Sequence, residues 1–364
     1  MVGVPVVSDS PSGRAQGKTR NRFVRPACTS LSTDRHRRKV LARTRWGRRF
    51  GAWLGVAALA CGAANGGARA SAEPVIHRGQ FPVTFDVGTA IIPFFFPEQA
   101  PPGANDPGCV LTPDRPRPVI LINGTGVNQA ANWQVGAPLL RNNGYCVFTF
   151  NYGNPTWISE IPVQAITDIR DGARQLAAEV DKVRALTGAG KVDLVGASQG
   201  GGVLPNYYIN IAGGDRYVNT LIGLAPSNHG TTANGQVFLR KSFPPLGGVP
   251  FALLDALLPA TTQQMIGSEL MAQTYGQGDT RPGVTYTTLV TRYDEVVTPY
   301  TNQFLDGPNV SNIVLQDGCP DDYSDHLSIN YSERAWRLVL NALDPEHATP
   351  VPCIPQGFLF PGIN

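Results

Sequence analysis

The stretch Lys191-Val192-Asp193-Leu194-Val195-Gly196-Ala197-Ser198-Gln199-Gly200-Gly201-Gly202 decides the reading of this chain. An apolar, β-branched run ends in Gly-x-Ser-x-Gly, and further glycines and then apolar residues follow. A serine on a sharp turn between a buried strand and a helix must tolerate a strained backbone, and flanking glycines remove the Cβ clashes. Such a turn lifts the Ser198 hydroxyl above the sheet and leaves the Gln199 amide at a helix N-terminus, where it can donate to a developing oxyanion. Glycine and serine are common in loops, so the pentapeptide gains weight only from its context. Strand before and helix after are both present. The reading is an acyl-transfer serine.

The charge balance excludes one class of partner. The formal net charge of +3 hides two unlike parts: residues 1–70 hold 14 Lys and Arg against 2 Asp and Glu, and residues 71–364 hold 16 against 25. The main body is acidic, so nucleic acid is not expected as a partner. The basic part has another explanation. An arginine-dense run, Arg35–Arg49, precedes an apolar stretch, Gly51–Ala64, that is too short to span a bilayer comfortably. Ala68-Arg69-Ala70 and Ala70-Ser71-Ala72 then offer cleavage sites. This is the order of an export signal, with an uncleaved anchor helix as the alternative. Residues 1–72 are expected to be an export signal with a long basic leader, and 73–364 a single secreted, extracellular catalytic domain without a stable membrane span. Export suits the cysteines. Cys109, Cys146, Cys319 and Cys353 lie beyond the leader, an even count that suggests two disulfides in any of three connectivities.

Continuous apolar runs mark buried strands at Pro118–Asn123, Tyr145–Asn151, Lys191–Ala197, Val218–Leu224, Val284–Thr291 and Val310–Gln316. Helices are expected over Ala130–Asn142, over Gln164–Ala185 with apolar residues at helical spacing, over Gly200–Ala212, and over Ser328–Ala342. The alternation predicts an α/β fold with a mostly parallel central sheet flanked by helices. Residues 227–282 interrupt it as a small, lid-like excursion. Within and beside that excursion, the apolar segment Phe243–Leu258 fits either an acyl-binding wall or a packed part of the core.

A nucleophilic serine needs a base, and the base needs an orienting carboxylate. Beyond the leader the histidines are His77, His229, His326 and His347. His77 precedes the core and His347 follows the last helix. His229 comes before any candidate acid and is read as structural or pocket-lining. His326 follows the final strand, where an imidazole can reach back over the sheet. Asp294 directly follows a strand, with Glu295 as fallback; Asp321, Asp322 and Asp325 share the His326 loop and suit solvated turn roles. The candidates are therefore Ser198 as nucleophile, His326 as general base and acid, and Asp294 as orienter. Gly124-Thr125-Gly126 follows a buried strand and allows a second oxyanion donor, or simply a tight turn.

Five motifs in order now carry a resemblance: Gly124-Thr125-Gly126, Gly196-Ala197-Ser198-Gln199-Gly200, Ala225–Thr232, Tyr293–Val297 and Asp325–Ser328. Over about residues 105–353 the chain resembles the secreted bacterial lipases of class 2 in the α/β-hydrolase superfamily, and the Gly-Thr-Gly loop and Asp-Glu-Val run are similar to those of fungal lipase B. The resemblance implies a triacylglycerol lipase or esterase of the α/β-hydrolase fold, monomeric, acting on acylglycerols at a lipid–water interface, and using no cofactor. It implies a triad of Ser198, Asp294 and His326, oxyanion amides on Thr125 and Gln199, and disulfides Cys109–Cys146 and Cys319–Cys353. Asn123 departs from the pattern, since many lipases carry histidine there; the backbone donors are unaffected. A short-chain or polyester-cleaving esterase and a non-catalytic hydrolase-fold binding protein are the alternatives.

Overall fold

The computed structural model describes residues 80–155, 162–234 and 256–358. The expected export signal, His77, and most of the apolar segment 243–258 lie outside these residues. Six strands, β1 (Val119–Ile122), β2 (Val147–Thr149), β3 (Val192–Ala197), β4 (Val218–Leu224), β5 (Thr285–Val290) and β6 (Val310–Val314), form one sheet in the order β2-β1-β3-β4-β5-β6. Every neighbouring pair is parallel. The chain moves outward from β1 to β2, then returns to the other side of β1 to lay down β3. The carboxyl ends of β1 and β3 therefore meet where the winding reverses, with Ile122 opposite Gly196. In open sheets of this kind that crevice is the place for a ligand.

Both faces of the sheet are covered, which is why its strands read as unbroken apolar runs. The period of two then divides each strand between two cores. Ile120 and Ile122 of β1 and Leu194 of β3 pack with Leu176, Val180 and Val183 of α4 (Ile169–Thr187). Val119 and Leu121 turn the other way, to Trp133, Leu140 and the helix Glu333–Leu343. No helix among the described residues is long and apolar enough to cross a membrane.

The observed elements correct several expected boundaries. One helix over 130–142 is in fact two, α2 (Gln129–Asn132) and α3 (Gly136–Asn142), separated at Trp133–Val135. Pro138 accounts for the break: it has no amide to donate and its ring excludes the carbonyl four residues earlier, so it is tolerated only near a helix start. Helix α4 begins at Ile169 rather than Gln164, because Asp168 caps it by accepting from the Arg170 amide at 2.7 Å. Strand β2 keeps three residues of the expected seven. Its outer edge is met by Asn105, which donates to the Val147 carbonyl and accepts from the Thr149 amide. After Ser198 a short 3₁₀ turn (Ser198–Gly201) precedes α5 (Val203–Asn210). The excursion after β4 contains α6 (Pro259–Gln263) and α7 (Glu269–Tyr275). The last helix, α8 (Glu333–Leu343), starts after a 3₁₀ turn and is capped by Ser332, which accepts from the Ala335 amide.

Both expected disulfides form, Cys109–Cys146 and Cys319–Cys353. The first, with a sequence separation of 37, restrains the unfolded chain by on the order of 4 kcal/mol in the chain-entropy picture. A second tie joins the layers. Trp336 of α8 is fully buried, meets Trp133 edge-on at 6.1 Å between ring centroids, and donates its indole N–H to the Asn330 carbonyl at 2.8 Å. There is no room for a larger residue opposite it, since a Cβ on Gly136 would overlap the indole ring. Trp336→Ala is expected to lower the unfolding free energy by about 3–5 kcal/mol, the range for deleting a buried large aromatic, read by equilibrium denaturant unfolding.

Candidate active site

Four connections at the carboxyl edge of the sheet bring the site together. The first is the turn after β3. Ser198 sits at φ +53, in the left-handed region that costs a non-glycine residue on the order of 1 kcal/mol or more. Backbone packing imposes the strain. A Cβ on Gly196 would overlap the Gly200 carbonyl, and one on Gly200 would overlap the carbonyl of Ile122 at the end of β1. Only glycines permit the turn to press this closely on its own strand and on the neighbouring one.

The second connection is the loop Gly124–Val127 after β1. Its conformation is pinned by Asn123, whose Nδ2 donates to the Val127 carbonyl at 2.6 Å and whose own carbonyl accepts from the Tyr152 hydroxyl at 2.7 Å. The amides on either side of Thr125 are both engaged: Gly124 donates to Asn132 Oδ1 and Gly126 to the Gln164 carbonyl. Among the described residues nothing accepts from the Thr125 amide. The Gln199 amide opens the 3₁₀ turn, where the first N–H groups have no intrahelical carbonyl to reach. The Thr125 side chain is also fixed. Its Oγ1 accepts from Gln199 Nε2 at 2.7 Å and from Gln264 Nε2 at 2.9 Å, while Gln264 Oε1 accepts from Ser227 Oγ. Two incoming donors leave the hydroxyl proton to be directed elsewhere.

The third and fourth connections, after β5 and β6, carry Asp294 and His326. Both side chains are buried, and His326 Nδ1 lies 2.7 Å from Asp294 Oδ2. Three more donors hold that carboxylate: the amides of Val296 and Val297 on Oδ1, and Gln303 Nε2 on Oδ2 at 2.8 Å. The two loops are stitched together by Gln316, which donates from Nε2 to Thr291 Oγ1 and to the Asp322 carbonyl. Thr291 Oγ1 in turn donates to the Ser324 carbonyl.

Nδ1 faces Asp294, so Nε2 is the imidazole nitrogen left for a substrate. Ser198, Thr125 and His326 all line one cavity of about 350 Å³, bounded also by Gln264, Glu295 and Leu327. Among the described residues no hydrogen bond joins the Ser198 hydroxyl to the imidazole; such contacts commonly tighten only when substrate binds.

The remaining candidates separate cleanly. Glu295, the fallback acid, meets His326 through the backbone: its Oε2 accepts from the His326 amide at 3.2 Å. Burial pushes its carboxyl above the ordinary value; hydrogen bonds from the amides of Glu295 and His326 oppose that rise, and nearby Asp325 and Asp294 add to it. His229 pairs with Asp279 at 3.0 Å and packs on Tyr275, so it is structural. His347 is exposed and pairs with Asp344. Asp321 is exposed, but Asp322 and Asp325 are buried, contrary to the solvated role expected. Their loop folds under the end of β5, where Asp325 accepts from the Leu327 and Ser328 amides and Asp322 from that of Ser324. Gln264 and Gln303 were not foreseen. Each stands in a polar, aperiodic stretch that carries no motif, and its role exists only through tertiary contact.

Residues 117–248 match the family model described as alpha/beta hydrolase fold. The structure resembles that of Aspergillus fumigatus lipase B, with a TM-score of 0.50 and 21% identity over 70% of this chain and 62% of that one. The chain has the α/β-hydrolase fold. It thus spans somewhat less than two thirds of the fungal lipase chain. Mature Bacillus licheniformis lipase BlEst2 aligns at a TM-score of 0.46, with 20% identity over 64% of this chain and 94% of that one. No curated protein matches the sequence.

The electrostatics of this hydrolase-fold site have a testable sign. Burial of the His326 ring by itself lowers its pKa, but the Asp294 carboxylate, by charge and by hydrogen bond, with Glu295 and Asp325 adding, outweighs burial and raises it. In an NMR titration the His326 imidazole is expected to deprotonate above the ordinary histidine value of about 6.5. Asp294→Asn removes the main raising partner and leaves burial, so the same resonance should shift to a lower pKa.

Proposed function

We propose that this chain is a carboxylic ester hydrolase working through an acyl-enzyme on Ser198. The observation that carries the reading is the 2.7 Å contact of His326 Nδ1 with Asp294 Oδ2, with His326 and Ser198 facing the same cavity. In this mechanism Ser198 Oγ attacks the ester carbonyl carbon and passes its proton to His326 Nε2, while Asp294 fixes the tautomer and stabilises the imidazolium. The tetrahedral oxyanion takes hydrogen bonds from the backbone amides of Thr125 and Gln199. The Thr125 hydroxyl, held as an acceptor by two glutamines, has its proton available as a third donor. The intermediate collapses, the alcohol leaves with the proton returned by His326, and water repeats the sequence on the acyl-Ser198 ester. No other group is required by this chemistry.

The finer reading is a secreted triacylglycerol lipase, monomeric and acting at a lipid–water interface, with Ser198, Asp294 and His326 as its triad. The class 2 lipase motifs support it, as does the fold shared with the fungal lipase B. The two disulfides support export to an oxidising compartment, with residues 1–72 as the signal and 73–364 as the catalytic domain. A polyester-cleaving esterase is the second reading, favoured by the large apolar side chains Ile91 and Phe95 exposed in the cavity that adjoins the site.

Two variants test the chemistry. Ser198→Ala, with unchanged circular dichroism, should lower kcat for p-nitrophenyl butanoate by about 10⁴-fold or more. Undiminished hydrolysis by that folded variant contradicts the assignment. Thr125→Val keeps the backbone amide but removes the hydroxyl, and with it the acceptor of Gln199 and Gln264, and should cost about 10²-fold in kcat.

A further inference from the structure

A second cavity, of about 370 Å³, adjoins the site just described. One wall comes from the chain ahead of β1, where Val87, Ala90, Ile91, Phe94 and Phe95 recur at helical spacing along a 3₁₀ turn and α1 (Ile91–Phe94). The opposite wall is Val127, Ala131, Leu327 and Tyr331. Its polar members are turned to the backbone. The Tyr331 hydroxyl donates to the Ala131 carbonyl, Asn132 accepts from the Gly124 amide, and Asn330 donates to the Leu327 carbonyl. Ile91 and Phe95, among the wall residues, are 63% and 66% exposed. Large apolar side chains left open to water along a groove mark a surface that gains by being covered.

Val127, Asn132, Leu327 and Asn330 line both cavities. Val127 belongs to the loop bearing Thr125, and Leu327 follows His326, so the groove opens between the oxyanion loop and the imidazole. We propose that this groove holds the acyl chain of the ester substrate, an inference that rests on the reading of the chain as an ester hydrolase. The acyl group stays covalently on Ser198 through the second half of the reaction, whereas the alcohol must depart. An apolar cleft continuous with the reacting centre therefore suits the retained part. The groove's wall is the segment 87–95, whose Pro93-Phe94-Phe95-Phe96-Pro97 run reads in the sequence only as an irregular lead-in; most of the segment 243–258, which fits either an acyl wall or a packed part of the core, lies outside the described residues.

Steady-state kcat/KM for p-nitrophenyl acetate, butanoate and octanoate, each below its aggregation limit, tests the assignment. Native protein, Ile91→Asp and Ala90→Phe are compared, with n-octyl acetate as the alcohol-side control. Ile91 is exposed, so its replacement does not threaten folding, and Ala90→Phe fills the groove instead of recharging it. In the native protein kcat/KM should rise with acyl length, by up to about fourfold for each methylene that becomes fully buried. Both variants should keep acetate turnover within about twofold and lose about tenfold or more on octanoate, the loss of two or so buried methylenes. An unchanged chain-length profile in both variants overturns the proposal, as does a loss confined to octyl acetate. Absence of hydrolysis of every ester by the native protein is a different result, because it removes the ester hydrolase reading itself.

Discussion

Backbone packs directly on backbone beneath Ser198, and the rest of the site depends on that contact. Gly196 and Gly200 leave no space for a side chain, so the turn after β3 lies against itself and against the end of β1. The same closeness turns Ser198 into the left-handed region and raises its hydroxyl over the sheet edge. It also sets the Gln199 amide beside the Gly124–Val127 loop, because β1 and β3 are hydrogen-bonded neighbours with Ile122 opposite Gly196. A strained residue persists only when its surroundings over-determine it. Here the surroundings are two parallel strands with both faces buried.

The imidazole is held by a separate device with the same logic. Asp294 is fixed by four donors, and its loop is tied to the His326 loop through Thr291 and Gln316. Helix α8 supports that loop from behind, since Trp336 donates to Asn330 and packs on Trp133 under β1. Burial and charge then compete at His326, and the carboxylate wins. In the proposed mechanism a raised pKa makes the ring a stronger base for the serine proton. Its cost is that the neutral, base-competent form is lost as pH falls through that raised value.

The strands were legible because their signal is local. Val218–Leu224 is an unbroken apolar run between polar turns, and β4 has those bounds. The Ser198 turn was legible because glycine spacing reports a steric demand that the backbone itself makes. Asp294 and His326 could be ordered from their places after β5 and β6. Helix starts were less legible. Ile166 continues the apolar spacing of α4, yet Asp168 caps the helix two residues later and Ala165 sits at φ +59. Apolar spacing carries no information on where a cap intervenes. Gln264 and Gln303 were invisible for a deeper reason: Gln264 meets Thr125 139 residues away and Gln303 meets Asp294 nine residues away across the loop after β5, and neither neighbourhood has a pattern. The groove at α1 was overlooked because its aromatic, proline-bearing wall has no regular element long enough to announce a face.

The central claim is that one nucleophile, Ser198, is activated by His326. The most direct measurement is reaction of the native protein with a fluorophosphonate ester, followed by mass spectrometry of its peptides, beside a folded His326→Ala variant. The account predicts a single stoichiometric adduct on Ser198 in the native protein, and its formation slowed by orders of magnitude without the imidazole. An adduct on another residue, or equal labelling of Ser198 in the variant, would contradict it.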